Sequence, residues 1–271
     1  MKLRTLQRLS LIGFILWGCG SSLTGCEQAP SHKKPQDIQT PQPISSPASA
    51  EISQPPRYQL DLSQASPAAS ETRQPGTIDL FFCLDVSGSM GERMGAQRKI
   101  DISKAALGQV FTQIASYVRS HPEKRAKVGL CAFADRAVLL QPMDVFDPNK
   151  AEQVVQSLQP SGNTAIGEAL ILGVKEILKS GAETRAILVM TDGENNRGVP
   201  PEQVVEAIKQ DSNNQQVPTA DIDVFLVAFD VNAGVFNGVK KAGAFVVESR
   251  DQKSLEGILS TLVEQVLLEA N

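Results

Sequence analysis

Three short stretches of this chain bring hydroxyl and carboxylate side chains close together: Asp85-Val86-Ser87-Gly88-Ser89, Ser161-Gly162-Asn163-Thr164 and Thr191-Asp192-Gly193-Glu194-Asn195. Serine beside aspartate first suggests a nucleophile. A serine hydrolase needs a base within hydrogen-bond reach of its hydroxyl. The chain holds two histidines, His32 and His121, and neither falls in or beside these stretches. Asp85 as a phosphoryl-accepting nucleophile would want a second aspartate two residues on to serve as acid and base, and Ser87 stands there. Each stretch alone is ordinary turn chemistry, because Ser-Gly and Asp-Gly dipeptides mark turns. Their meaning depends on what positions them.

The positioning elements are legible from Thr77 onward. Ile78–Leu84 is a near-continuous apolar run, the pattern of a strand buried on both faces. Similar runs recur at Ala126–Phe133, Arg185–Met190, Ile222–Phe229 and Ala244–Val247, and Ala137–Gln141 is placed to pair with the second as a hairpin. Between them lie helix-patterned segments at Ile100–Val118, Lys150–Leu158, Ile166–Leu178, Pro201–Lys209, Val235–Lys241 and Leu255–Leu268. In the first of these, Ile102, Ala105, Ala106, Val110, Ile114 and Tyr117 share one face. Pro200 and Pro201 suit a helix start, and Asp251 suits the N-cap of the last helix. Strands alternating with helices imply a mostly parallel sheet covered on both faces. In such sheets ligands bind beyond the carboxyl ends of the strands, where two of the three stretches fall.

Together the three stretches resemble the von Willebrand factor type A family, whose metal-ion-dependent adhesion site combines Asp-x-Ser-x-Ser, a distant Thr in a Gly-Thr-like loop and an Asp-Gly turn after a later strand. The resemblance covers residues 77–268 in the family's element order. It implies a doubly wound, Rossmann-like α/β sheet with the site at its rim. It also implies that Ser87 and Ser89 ligate the ion directly, that Asp85 and Asp192 act through water or through the serine hydroxyls, and that Thr164 joins or leaves the direct shell. The Thr loop reads Gly162-Asn163-Thr164 where the family often has Gly-Gly-Thr, a change that Asn tolerates because it accepts unusual backbone angles. With oxygen donors only, the ion should be hard: Mg²⁺ first, with Mn²⁺ or Ca²⁺ as alternatives. Neutral hydroxyls leave much of its charge uncompensated, so the natural further ligand is a partner's Asp or Glu carboxylate. Such a site binds rather than catalyses. The expected role is a metal-dependent protein-binding or adhesion module; the alternatives are a subunit assisting assembly of an envelope complex and, further off, a metal-dependent phosphohydrolase.

The N-terminus reads as an address. Residues 1–26 open with Lys2, Arg4 and Arg8, continue through the apolar run Leu9–Trp17 and decay into small residues, the order of a secretory signal. The run is short of the about 20 apolar residues of a membrane-spanning helix. Leu23-Thr24-Gly25-Cys26 resembles a bacterial lipobox, which implies lipidation at Cys26 and an exported protein anchored to a bacterial membrane. Cys19 fits less well because bulky Trp17 lies two residues before it. Residues 27–76 hold nine of the sixteen prolines and few large apolar side chains, so a disordered tether is expected, reaching roughly 40 Å as a flexible coil. Ile52 and the patch Tyr58–Leu62 are candidates to dock, as a short strand, on the domain formed by residues 77–271. Removing residues 1–26 leaves 23 cationic against 30 anionic side chains, a net charge of about −7 with no basic stripe, which argues against nucleic acid as a partner.

Other residues read more plainly. Cys83 and Cys131 fall in buried runs that the resemblance puts on adjacent parallel strands, where a bridge is awkward, so free thiols are expected. Asp135 and Arg136, Glu194–Arg197, and Asp230 with Asn232 follow strands and are candidates for shaping partner choice. Met90 and Met94 follow the serines and are placed to pack on a partner.

Overall fold

The apolar runs associate into one sheet because each is too apolar on both faces to be left against water. In a computed structural model, Tyr58, Leu60, residues 73–210, Thr219 and residues 221–270 are described. The chain runs β1 (Gln74–Asp85), β2 (Arg93–Met94), β3 (Gln97–Arg98), α1 (Lys99–Ser120), β4 (Arg125–Phe133), β5 (Ala137–Val145), α2 (Pro148–Gln156), α3 (Ile166–Ile177), β6 (Ala182–Thr191), α4 (Pro201–Gln210), β7 (Asp223–Phe229), α5 (Asn237–Lys241), β8 (Phe245–Ser249) and α6 (Gln252–Glu269). The main sheet has the order β5-β4-β1-β6-β7-β8. All neighbours are parallel except β5, which pairs antiparallel with β4. It is a doubly wound α/β sheet.

Side chains alternate across β1 as the pleat requires. Ile78, Leu80, Phe82 and Leu84 join the layer carrying α1, α2 and α6, while Phe81 and Cys83 join the layer carrying α3, α4 and α5. In the first layer Phe82 meets Phe111 edge-on at 5.9 Å between ring centroids, a favoured aromatic geometry. β1 lies at the centre, with β4 on one side and β6 on the other, so the connections diverge there. The crevice beyond the carboxyl ends of β1 and β6 is the place where such sheets take ligands.

Several boundaries differ from those the pattern suggests. β1 opens at Gln74, inside the stretch read as tether, because the Gln74 amide donates to Gly181 O at 2.8 Å and extends the pairing with β6. β5 runs on to Val145. The segment expected as one helix over Val235–Lys241 divides into a 3₁₀ turn, Ala233–Phe236, and α5. Asp251 caps α6 as expected, accepting from Ser254 N at 2.7 Å while Ser254 returns the bond. Tyr58 and Leu60 pack against the α3/α4 layer without forming a strand. Cys26 and the rest of residues 1–57 lie outside the described residues. No helix among the described residues is long and apolar enough to cross a membrane.

Candidate metal site at the sheet rim

The site is built where β1 and β6 end. β1 delivers Asp85, fully buried, to the rim. Both its carboxylate oxygens already have donors: Ser87 N reaches Oδ1 at 2.7 Å, and the Thr191 hydroxyl reaches Oδ2 at 2.5 Å. The chain then turns through a 3₁₀ segment, Gly88–Gly91, which brings the two serine hydroxyls to 3.1 Å from one another. The Ser89 hydroxyl donates to Asp192 Oδ1 at 2.7 Å, and Lys99 Nζ donates to Asp192 Oδ2 at 3.0 Å. Asp192, like Asp85, thus has a donor on each oxygen.

Thr164 reaches the same place from a different part of the sequence. Its loop is stitched to the serine loop by Ser161 N to Val86 O (2.7 Å) and by Gly88 N to Gly162 O (3.0 Å). Gly162 takes a positive φ of 81°, which calls for glycine, and a Cβ there would in addition push aside the Asp135 carboxylate, 2.7 Å away. Asn163 does not use a left-handed angle, contrary to the expectation for this loop; instead its amide N–H and side chain both donate to Asp135 Oδ1. Thr164 is 3 % exposed. Its hydroxyl and that of Ser89 both border Gly193, at 3.7 and 4.0 Å from the position a Cβ would occupy there. The five residues singled out in the sequence are therefore gathered at one rim: the two serine hydroxyls meet, the Thr164 hydroxyl shares the Gly193 border with Ser89, and the Asp85 and Asp192 carboxylates hold the serine loop.

The sequence matches the family model of the von Willebrand factor type A domain over residues 80–194, which spans the Asp-x-Ser-x-Ser loop through the Asp192 turn. This stretch has the sequence of a von Willebrand factor type A domain. The Bacillus subtilis protein YwmD is 27 % identical over 157 residues, covering 55 % of this chain and 70 % of YwmD. A von Willebrand factor type A structure from Catenulispora acidiphila superposes with a TM-score of 0.57 at 16 % identity, over 70 % of this chain and 42 % of that one. A serine-substituted aerotolerance-related membrane protein from Bacteroides fragilis gives a TM-score of 0.54 at 20 % identity, over 69 % of this chain and 99 % of that one.

The clamp on Thr164 comes from residues within Glu194–Arg197, which the sequence offered as candidates for shaping partner choice. Asn196 Oδ1 accepts from Thr164 N at 2.8 Å, and Asn196 N donates to Thr164 O at 3.0 Å. Asn195 Oδ1 accepts from Ile166 N at 2.8 Å and caps α3, whose own N-cap residue, Ala165, offers no side-chain bond. The Asp192 turn thereby holds the Thr164 loop. Asp-Gly-Glu-Asn-Asn is rich in the side chains that cap backbone, and that was the available signal.

Lys99 was also missed. It is 5 % exposed and lies 3.0 Å from Asp192 Oδ2, 3.0 Å from Asp230 Oδ2 and 3.3 Å from Glu92 Oε2. Burial works against its charge, yet the donated bonds to Asp192 and Asp230 prevail and hold the ammonium above the ordinary lysine value. Asp85 goes the other way: burial pushes its carboxyl up to about 6, against the Thr191 and Ser87 donors.

Met90 does not face a partner. It is fully buried in the α1 layer, and Met94 packs partly buried against the same layer, because the 3₁₀ turn folds the loop back onto the core. Cys83 and Cys131 stand opposite one another in the β1–β4 register as buried free thiols, and burial pushes the Cys83 thiol up. His121 stacks on Tyr117 at 4.3 Å where α1 ends. α1 is 22 residues long, about 33 Å, and Lys99 begins it at the site end, so no imidazole of the described residues reaches the hydroxyls.

Proposed function

We propose that this domain is a non-catalytic, divalent-metal-dependent protein-binding module, displayed on a bacterial envelope by a lipid anchor at Cys26. The observation that carries the reading is the division of labour at the rim. Asp85 and Asp192 each have a donor on both oxygens, while the Ser87 and Ser89 hydroxyls meet and the Thr164 hydroxyl shares the Gly193 border with Ser89. The donor set suits a hard ion, Mg²⁺ first and Mn²⁺ or Ca²⁺ as alternatives. Ser87 and Ser89 would hold it directly, Thr164 would complete the hydroxyl set, and Asp85 and Asp192 would orient the hydroxyls and supply negative charge from behind.

This is not a carboxylate cage: among the described residues no group of three His, Cys, Asp or Glu side chains is placed to hold an ion. An ion held by neutral hydroxyls keeps most of its charge, and a partner's Asp or Glu carboxylate is the ligand that would neutralise it. Type A domains generally serve as interaction modules, and no imidazole of the described residues stands at this rim to activate a hydroxyl. The signal-like N-terminus and the lipobox resemblance support export, and the membrane protein from Bacteroides fragilis shares the fold.

Isothermal titration with Mn²⁺ and Mg²⁺ alone tests the site. Ion binding is expected for the wild-type chain and its loss for Asp85→Ala and Asp192→Ala, with circular dichroism unchanged. Thr164→Ala should still bind the ion through Ser87 and Ser89 but retain envelope proteins less well. Retention on the immobilised chain should vanish in EDTA. Equal retention by wild type and Asp85→Ala, with and without chelator, overturns the reading.

A further inference from the structure

Lys99 stands where helix physics disfavours it. It is the first residue of α1, whose amino end carries partial positive charge, so a lysine there meets like charge. It is also buried, which costs a cation its hydration. A local rule broken twice at one residue marks a functional position rather than a structural convenience.

The compensation comes from three rim loops. Glu92 precedes α1, Asp192 follows β6 and Asp230 follows β7, and the carboxylates of all three lie within 3.3 Å of the ammonium. Asp230 takes a left-handed φ of 57°, the only non-glycine among the described residues to do so. That backbone cost places its carboxylate on Lys99.

We infer that Lys99 is a built-in counter-cation that keeps Asp192 behind Ser89 and out of direct contact with the ion, so that the ion stays hungry for a partner's carboxylate. The inference rests on the metal site proposed above and deepens it. Asp192 has Ser89 on one oxygen and Lys99 on the other. Without the ammonium, Oδ2 is free to swing onto the ion, and one fixed positive charge no longer opposes a divalent cation in a water-poor rim. The ion is then held more tightly and is better neutralised, and it has less need of an external anion. Lys99 thus exchanges metal affinity for appetite toward the partner.

The test is Mn²⁺ alone, titrated into the full chain as wild type, Lys99→Met, Lys99→Gln, Lys99→Arg and Asp85→Ala. Lys99→Met and Lys99→Gln should each bind Mn²⁺ at least about tenfold more tightly than wild type, and Lys99→Arg, which keeps the charge, should match wild type. A purely structural strut predicts lower stability with equal or weaker Mn²⁺ binding, and that result overturns the inference. Removing the ammonium leaves the buried Asp192 carboxylate without its counter-charge, so the metal-free variants should melt lower than wild type and rise further when Mn²⁺ is added. Should Lys99→Met be unfolded without metal, Mn²⁺ must refold it by circular dichroism, and failure to do so counts against the inference. Wild type that binds Mn²⁺ while Lys99→Met gains nothing sinks Lys99's role and leaves the metal site standing. Binding in Lys99→Met but not in wild type sinks the metal site as proposed and leaves the ammonium as the cation that replaces it. Binding in none sinks both.

Discussion

Thr164 and Asn196 hold each other by a reciprocal pair of hydrogen bonds, Thr164 N to Asn196 Oδ1 at 2.8 Å and Asn196 N to Thr164 O at 3.0 Å. One residue, through its side-chain oxygen and its backbone amide, thereby fixes both peptide groups flanking the threonine, and with them the place from which its side chain leaves the backbone. Thr164 lies on the loop between α2 and α3 and Asn196 on the loop after β6, so the pair also sets the spacing between the Thr164 and Asp192 loops.

Asn196→Ala should therefore affect the site more than the fold. A single partly exposed hydrogen-bond acceptor is worth about 1 kcal/mol of stability, so the melting temperature should fall by only a few degrees. Mn²⁺ binding should persist through Ser87 and Ser89, while retention of envelope proteins falls toward that of Thr164→Ala. Unchanged retention would show that Thr164 does not need the clamp.

Gly167 offers a steric test of the same coupling. A Cβ at this position would run into the Val199 carbonyl oxygen, which is backbone and cannot swing aside. Gly167→Ala should push α3 away and cost about 2–3 kcal/mol by chemical denaturation. Because Asn195 ties the first turn of α3 to the Asp192 turn, metal affinity should drop as well. Gly181→Ala is the control: a Cβ there meets nothing within 4 Å, and little change is expected.

The buried Asp79 predicts how stability varies with pH. Ser180 donates to Oδ1 at 3.2 Å, and Oδ2 has no hydrogen-bond partner. Burial pushes the carboxyl up to about 6 from 3.8, in spite of Ser180, Lys127 and Arg185. An acid whose folded value lies above its unfolded one holds its proton more tightly when folded. Stability is therefore greatest below 3.8 and declines as pH rises through about 6. The decline from this group should be at most about 3 kcal/mol. Asp85, also raised to about 6, contributes in the same sense. Urea unfolding in EDTA between pH 4 and 8 should show the fall, and Asp79→Asn should flatten part of it. A stability that rises across this range would contradict the account.

The anchor proposal is checked at Cys26. Cys26→Ala should abolish lipid incorporation and move the protein from the membrane to the soluble or secreted fraction. Wild type that carries no lipid, fractionating like the variant, would remove the anchor.

Much of the architecture was legible because it is written in local pattern. Ile78–Leu84 is apolar at every position but one and can only be a strand covered on both sides; Ile102, Val110 and Ile114 recur at helical spacing and can only face a core. Ser87, Ser89, Thr164 and Asp192 were readable as candidates because their hydroxyls and carboxylates sit in short stretches with turn-forming neighbours. Local pattern also misled: Met90 follows the serines in a loop, yet the turn buries it completely.

By itself, then, the sequence determined the alternation of strands and helices and the rim positions of Asp85, Ser87, Ser89 and Asp192. The tertiary structure alone decided which distant groups meet. Asn195 caps a helix that begins 29 residues earlier in the chain, and Lys99 draws together carboxylates from the loops after β6 and β7. The reason is physical. Hydrophobic period is a property of neighbours along the chain, whereas the partner of a buried polar group is set by which strand ends the sheet order brings side by side.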